Sequence, residues 1–209
     1  YARESWFIRM TAVKDKLIGY AREHGLPSIV DSRYAIRRFR DIGYVKQNDA
    51  ELAAAVGREL PDEAALVDAG RALLKELSAD GVLVTRGEKG MMLFSRDGTV
   101  TDIPVSDRSE VYDVSGAGDT CVATVILALA AGIEAPEAAR LSNVASGIAV
   151  RKLGTATVSA AELVRALDAR RMLIDVSHLS DRGFWDVCGL TDRPFVATHS
   201  DSRALCRNS

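Results

Sequence analysis

A carboxylate placed directly behind a glycine-rich turn is the feature of this sequence best suited to chemistry. Asp113-Val114-Ser115-Gly116-Ala117-Gly118-Asp119-Thr120 leads from a strand-like stretch, Val111 to Val114, into the apolar segment Ala117 to Ala131, which reads as a helix ending at Gly132. Gly116, Ala117 and Gly118 then form the first turn of that helix. There the backbone N–H groups lack intrahelical acceptors, and the glycines leave no side chain to keep an anion away. Asp119 falls in the same turn, where the helix dipole favours its ionised form. Such a carboxylate can accept a hydroxyl proton as that oxygen attacks a phosphoryl group, while the N–H groups take up the charge that develops. The spacing suits an ordinary strand-to-helix turn equally well, with Asp119 as a plain helix-start residue. Two familiar phosphate loops are excluded. No Lys-Ser/Thr follows as in a Walker loop, and Cys121 stands where a dinucleotide fingerprint has its last glycine.

A second group lies near the C-terminus, where His178 and His199 follow the strand-like runs Met172 to Val176 and Phe195 to Ala197. Histidines at the ends of neighbouring parallel strands can converge on a zinc ion that activates water. Two isolated histidines more often simply terminate strands. His24 reads as a surface helix position.

The elements that must position these residues alternate in type. Strands are expected at Ser28 to Val30, Tyr44 to Lys46 and Gly81 to Thr85, and helices at Asp49 to Val56 and Asp62 to Leu77 covering one face of the sheet. Met91 to Phe94 and Val100 to Ile103 read as a hairpin around Asp97-Gly98, followed by a polar loop, Ser106 to Glu110. Because Ala117 to Ala131 is apolar on every side, that helix is expected at the buried centre of the domain. A further helix runs from about Ala135 to Lys152, and Ser159 with Glu162 forms a capping box that opens Ala160 to Ala169. Asp181 to Cys188 reads as a short helix. The sum is an α/β domain with a largely parallel sheet, and there is no internal repeat.

Composition bounds the partners. Of 209 residues, 47% are hydrophobic, enough for a sizeable core. Lys and Arg total 27 against 29 Asp and Glu, so no basic footprint for nucleic acid or anionic lipid exists, and any anion must be gripped locally. Cys121, Cys188 and Cys206 are scattered, which suggests neither a disulfide framework nor a thiolate zinc site and fits a reducing cytoplasm. No run is long enough to span a bilayer, and no signal peptide is read. Because the chain opens on Tyr1, it reads as a fragment.

The Asp113 to Asp119 segment resembles the second signature, Asp-x-x-Gly-Ala-Gly-Asp, of the ribokinase-like (PfkB) carbohydrate kinases. Asn48-Asp49-Ala50-Glu51 resembles the family's Asn-x-x-Glu, Thr85-Arg86-Gly87-Glu88-Lys89-Gly90 its Thr-x-Gly-x-x-Gly, and Asn143 to Gly154 the stretch bordering the base. The resemblance implies a ribokinase-like fold, ATP and Mg2+ as cofactors, a sugar or sugar-phosphate substrate and a homodimer. It makes Asp119 the base and Gly116, Ala117 and Gly118 the anion hole. Glu51 would support magnesium, with Asn48 near the transferred phosphate, Thr85 and Gly87 near the nucleotide phosphates and Asn143 near the adenine. Asp113, Ser115 and Gly154 would belong to a loop for a monovalent cation, K+. Within the family, the wording of the Lys46 to Glu51 and Asp113 to Thr120 segments is most similar to the kinase half of bacterial ADP-heptose synthesis, which implies a heptose 7-phosphate phosphorylated at its anomeric hydroxyl.

This resemblance covers residues 19–169, the latter half of such a kinase, with residues 1–18 unassigned. Residues 170–209 resemble instead the membrane (renal) dipeptidases, a family of metal-dependent (β/α) barrels in which His178 and His199 would match two Zn2+ ligands. The other ligands and most of the barrel are missing, so no peptidase activity is expected. The alternatives to a kinase fragment are thus a zinc dipeptidase fragment, or a non-catalytic product joining pieces of two genes.

Overall fold

The computed structural model describes residues 2–106, 111–177 and 179–197, with side chains from residue 12 onward. At its centre is a five-stranded mixed sheet: β1 (Ile29–Asp31), β2 (Tyr44–Asn48), β3 (Gly81–Thr85), β4 (Met91–Ser95) and β5 (Val100–Ile103), side by side in that order. The pairs β1/β2 and β2/β3 are parallel, while β3/β4 and β4/β5 are antiparallel. Parallel neighbours need crossovers. The hairpin expected around Asp97-Gly98 supplies the last antiparallel pair, Gly98 taking φ 90°.

Two apolar clusters lie on opposite faces. Because side chains alternate along a strand, Val82 and Val84 of β3 enter one cluster and Leu83 the other. The first cluster is closed by α2 (Asp49–Val56) and α3 (Glu63–Leu77), which contribute Leu52, Leu66, Ala69, Leu73 and Leu77, as their periodicity predicts. The opening helix α1 (Ala2–Glu23) adds Ile18 to the same side. The second cluster is closed by α4 (Ala117–Ala130) and α5 (Ala135–Ala149) through Cys121, Val125 and Ala139. Helix α6 (Ala160–Ala169) opens on the expected Ser159/Glu162 capping box, and α7 (Asp181–Leu190) follows.

Four expectations are corrected. Helix α4 is not buried on all sides. Cys121 and Val125 join the cluster on the sheet and Ala128 is buried, but Leu127 is 70% exposed, because the described elements cover only one flank of the helix. Val111 to Val114 forms no strand: the N–H groups of Tyr112 and Asp113 donate to the Val150 carbonyl beyond α5, 2.9 and 3.1 Å away, instead of to a sheet neighbour. The stretch Met172 to Val176 is not a buried strand. It makes one isolated parallel bridge, Asp175 to Val196, and leaves Leu173 65% exposed, since among the described residues no further strand extends the ladder. The Phe195 to Ala197 stretch is reduced to the same bridge for the same reason. Among the described residues no helix is long and apolar enough to cross a membrane. His24 lies exposed at the end of α1, stacked on Tyr20.

Candidate active site

The carboxyl ends of the parallel strands gather the polar residues. In register, Asp31 of β1 pairs with Lys46 of β2, and Asn48 of β2 pairs with Thr85 of β3. This is the edge at which open α/β sheets bind ligands, because the strands end there and the next helices begin. Asn48 stops β2 and caps α2. Its Oδ1 accepts from the Glu51 N–H at 2.7 Å, while Glu51 Oε2 accepts from the Asn48 N–H at 2.9 Å. The other carboxylate oxygen, Oε1, lies 3.4 Å from Arg33 Nε, and the Glu51 side chain is only 10% exposed. A carboxylate so fixed fits a role in supporting a hydrated divalent cation. Thr85 Oγ1 donates weakly to the Gln47 carbonyl, 3.4 Å away, and Gly87, in the short turn after β3, faces open space.

The glycine-rich turn starts α4 as its sequence predicts. Gly116 is the residue before the helix, at φ 79°, where a side chain would be strained. The Thr120 N–H makes the first helical bond, to the Gly116 carbonyl at 2.9 Å. One expected member of the anion hole is engaged, since the Ala117 N–H donates to the Val114 carbonyl at 3.2 Å. The N–H groups of Gly116, Gly118 and Asp119 have no acceptor among the described residues, so of the three expected residues Ala117 alone has its N–H engaged. Asp119 is exposed.

Beneath the turn lies a residue that motif reading missed. Lys46 Nζ donates to Asp31 Oδ2 at 2.8 Å, and a Cβ placed on Gly118 would come within 3.0 Å of that ammonium. The available signal was a lysine in the middle of an otherwise uncharged strand, Tyr44-Val45-Lys46-Gln47, which demands a partner. Behind them, burial pushes the Cys121 thiol up, and its Sγ lies 3.6 Å from Ser142 Oγ. A buried protonated thiol is inert.

Asp113, Ser115 and Gly154 are brought together. Asp113 Oδ1 accepts from the Ser115 N–H at 2.8 Å and Oδ2 from the Gly154 N–H at 3.0 Å. Those bonds, the one from Ser115 foremost, hold the Asp113 carboxyl below its ordinary range. Thr155 rests against Gly116, so the two loops form one rim. Asn143, on α5, is buried. Its Nδ2 donates to the Pro104 carbonyl at 2.7 Å and its own carbonyl accepts from Ser106 Oγ at 3.2 Å, so it anchors the segment after β5. His178 and His199 lie outside the described residues, among which no group of three or more His, Cys, Asp or Glu could hold a metal ion.

Residues 11–162, which contain all of this geometry up to Thr155, match the pfkB family carbohydrate kinases. The chain belongs to this family. Its pfkB-type segment is 45% identical over 152 residues to the bifunctional protein HldE of Geobacter metallireducens, covering 72% of this chain and 31% of that protein. It is 46% identical over 154 residues to the bifunctional protein HldE of Pseudomonas syringae pv. tomato, again 72% of this chain and 32% of the relative. The chain therefore spans about a third of the length of these curated relatives.

Among solved structures, Arabidopsis thaliana ribokinase complexed with ribose and ATP has the same fold, with TM-score 0.68 and 21% identity over 75% of this chain and 52% of that one. Phosphofructokinase-2 from Escherichia coli in complex with potassium follows, with TM-score 0.65 and 26% identity over 75% of this chain and 51% of that one. The fold is thus ribokinase-like. A second family, membrane dipeptidase (peptidase family M19), matches residues 135–209. The first part of that match runs through α5, which here packs on α4 and the sheet as part of the kinase-like layer.

Proposed function

We propose that this chain carries the nucleotide side and the base of an ATP-dependent kinase that phosphorylates a sugar hydroxyl, with a heptose 7-phosphate as the substrate class. One observation carries the reading: a free helix start at Gly118 and Asp119, with the Asp119 carboxylate in the same turn, stands over Asp31 and Lys46 at the carboxyl ends of the parallel strands, the edge that also carries Asn48 and Thr85. Asp119 takes the proton of the attacking hydroxyl. The N–H groups of Gly118 and Asp119 receive the negative charge that develops on the transferred group. Glu51, held by its capping bonds, supports Mg2+ through its water shell, and the cation would neutralise phosphate charge. Asn48 is assigned to the transferred phosphate, Thr85 and Gly87 to the nucleotide phosphates, and Asn143 to the wall beside the base. Asp113, Ser115 and Gly154 are assigned to a K+ loop, a reading supported by their convergence and by the potassium complex of the Escherichia coli neighbour.

Heptose specificity rests on the resemblance of the Lys46 to Glu51 and Asp113 to Thr120 segments and on the identity with the HldE proteins. In this reading the kinase-like unit spans residues 19–169, and residues 170–209 are an appended dipeptidase-like piece without a reaction of its own. The test is ATP consumption with a heptose 7-phosphate, fructose 6-phosphate and ribose, for the wild type and Asp119→Asn. Turnover should favour the heptose phosphate and fall by about 10²–10⁴ in the variant, the range expected for loss of a general base. Equal rates in both proteins would remove Asp119 from this role.

A further inference from the structure

None of the motif resemblances gives the ion pair of Asp31 and Lys46 a role, yet it reaches the Gly118 turn at the centre of the proposed site. The Lys46 side chain is 7% exposed and that of Asp31 29%. An ammonium buried to this degree requires a counter-ion, and Asp31 provides it from the directly opposed position on the neighbouring strand. The pair projects onto the face of the sheet covered by α4 and ends at Gly118. A Cβ at that residue would lie 3.0 Å from Lys46 Nζ and 3.6 Å from Asp31 Oδ2. Any larger residue would push the ammonium away from this turn, whose Gly118 and Asp119 N–H groups are free among the described residues.

Asp31 is itself tied down. Gln47 Nε2 donates to the Ser32 carbonyl at 3.3 Å, and Arg33 pairs with Glu51 at 3.4 Å, so the segment after β1 is fastened across the β2–α2 corner. The two ion pairs cross in opposite senses: the end of β1 supplies the acid, Asp31, to Lys46, and the segment after it supplies the cation, Arg33, to Glu51. Lys46 is therefore held by the last residue of β1 and Glu51 by a residue just after it.

We propose that Asp31 is a positioning residue of the phosphoryl-transfer site, acting through Lys46: it holds the ammonium against Gly118, so that a phosphate bound on the turn meets a positive charge already in place. The proposal rests on the reading of this turn as the site of the nucleotide's phosphates. Pre-placing the charge spares the reordering of a long flexible side chain when the anion arrives.

A double-variant cycle on the full chain tests it. Mg2+·ATP is titrated calorimetrically into the wild type, Asp31→Asn, Lys46→Met and the double variant, each first checked by a thermal melt. Lys46→Met should weaken binding about tenfold, the scale of one charge-assisted contact. Asp31→Asn should weaken it severalfold, and the double variant should bind no more weakly than Lys46→Met, because nothing is left to position. Losses that multiply, or an Asp31→Asn protein that binds as well as the wild type or better, overturn the proposal. If Asp31→Asn fails to melt cooperatively, Asp31→Ser, which leaves room for water at the ammonium, takes its place in the same cycle. A folded wild type that binds no Mg2+·ATP refutes the nucleotide-site reading and this proposal with it. Wild-type binding with multiplying losses refutes only the role of Asp31.

Discussion

Replacing Gly90 with alanine should destabilise the protein far more than the same change at Gly87, although both glycines belong to one six-residue motif. Gly90 sits at φ 81° and ψ −133°, outside the regions open to residues with a side chain. A Cβ there would lie 2.1 Å from the Ile103 carbonyl oxygen, 2.6 Å from the Val105 nitrogen and 2.7 Å from the Pro104 carbonyl carbon. All three are backbone atoms at the end of β5, next to the Met91/Ile103 pair, so relief requires the edge strand to move. The backbone conformation alone costs about 1–3 kcal/mol, and with the displaced strand the total should be at least about 3 kcal/mol. For a chain of this length that lowers Tm by roughly 6–12 °C. At Gly87, φ is 56° and nothing lies within 4 Å, so only the left-handed backbone is penalised. That amounts to about 1 kcal/mol, or roughly 2–4 °C. Thermal melts followed by circular dichroism decide the matter, with calorimetric titration of Mg2+·ATP alongside. Gly87→Ala should keep its fold and lose nucleotide affinity, since its methyl enters the open space assigned to phosphates. Equal melting temperatures for the two variants would refute the division into one packing glycine and one ligand-facing glycine.

Further outcomes follow from the same geometry. Asn48→Ala removes the acceptor for the Glu51 N–H and should lower stability by about 1 kcal/mol, read from the urea midpoint. A Gly118→Ala methyl crowds the flexible end of Lys46 and meets Asp31 Oδ2 only at ordinary contact distance, so its melt should stay close to the wild type while Mg2+·ATP affinity drops. Glu162 is held down to about 2, from an ordinary 4.5, first by Lys152 and then by Ser159. A depressed carboxylate contributes stability above its unfolded value and loses it as pH falls through the folded one. The stability gap between wild type and Glu162→Gln should therefore be constant from neutral pH down to about 4.5 and close between there and about 2. A gap unchanged at pH 2 would show that Lys152 and Ser159 do not set this carboxyl.

Local signals were legible because their causes are local. Hydrophobic periodicity placed α2 and α3 on one face, and the Asp97-Gly98 turn announced the β4/β5 hairpin. Both the Ser159/Glu162 box and the start of α4 at Gly116 follow from what neighbouring residues do to one another's N–H groups. The Val111 to Val114 stretch misled because its β-branched residues have the propensity of a strand, while its hydrogen bonds go to the end of α5. Propensity cannot register a partner that lies some 40 residues away in the chain. The apolar character of α4 likewise says how much surface could be buried, not how much the surrounding layers cover.

Asn143 shows the same division. Its motif position suggested a place near the base, while in the structure its amide fastens the Pro104 backbone, a contact 39 residues away that no local pattern encodes.

By itself the sequence determined which backbone would bare its N–H groups and which carboxylate would stand beside them, since a helix start is written in consecutive residues. Tertiary structure alone decided which charge lies beneath that start. Asp31 and Lys46 are 15 residues apart, and only the parallel register of β1 on β2 brings them to 2.8 Å of each other under Gly118. No spacing rule encodes that meeting, because it depends on how far each strand runs before it ends.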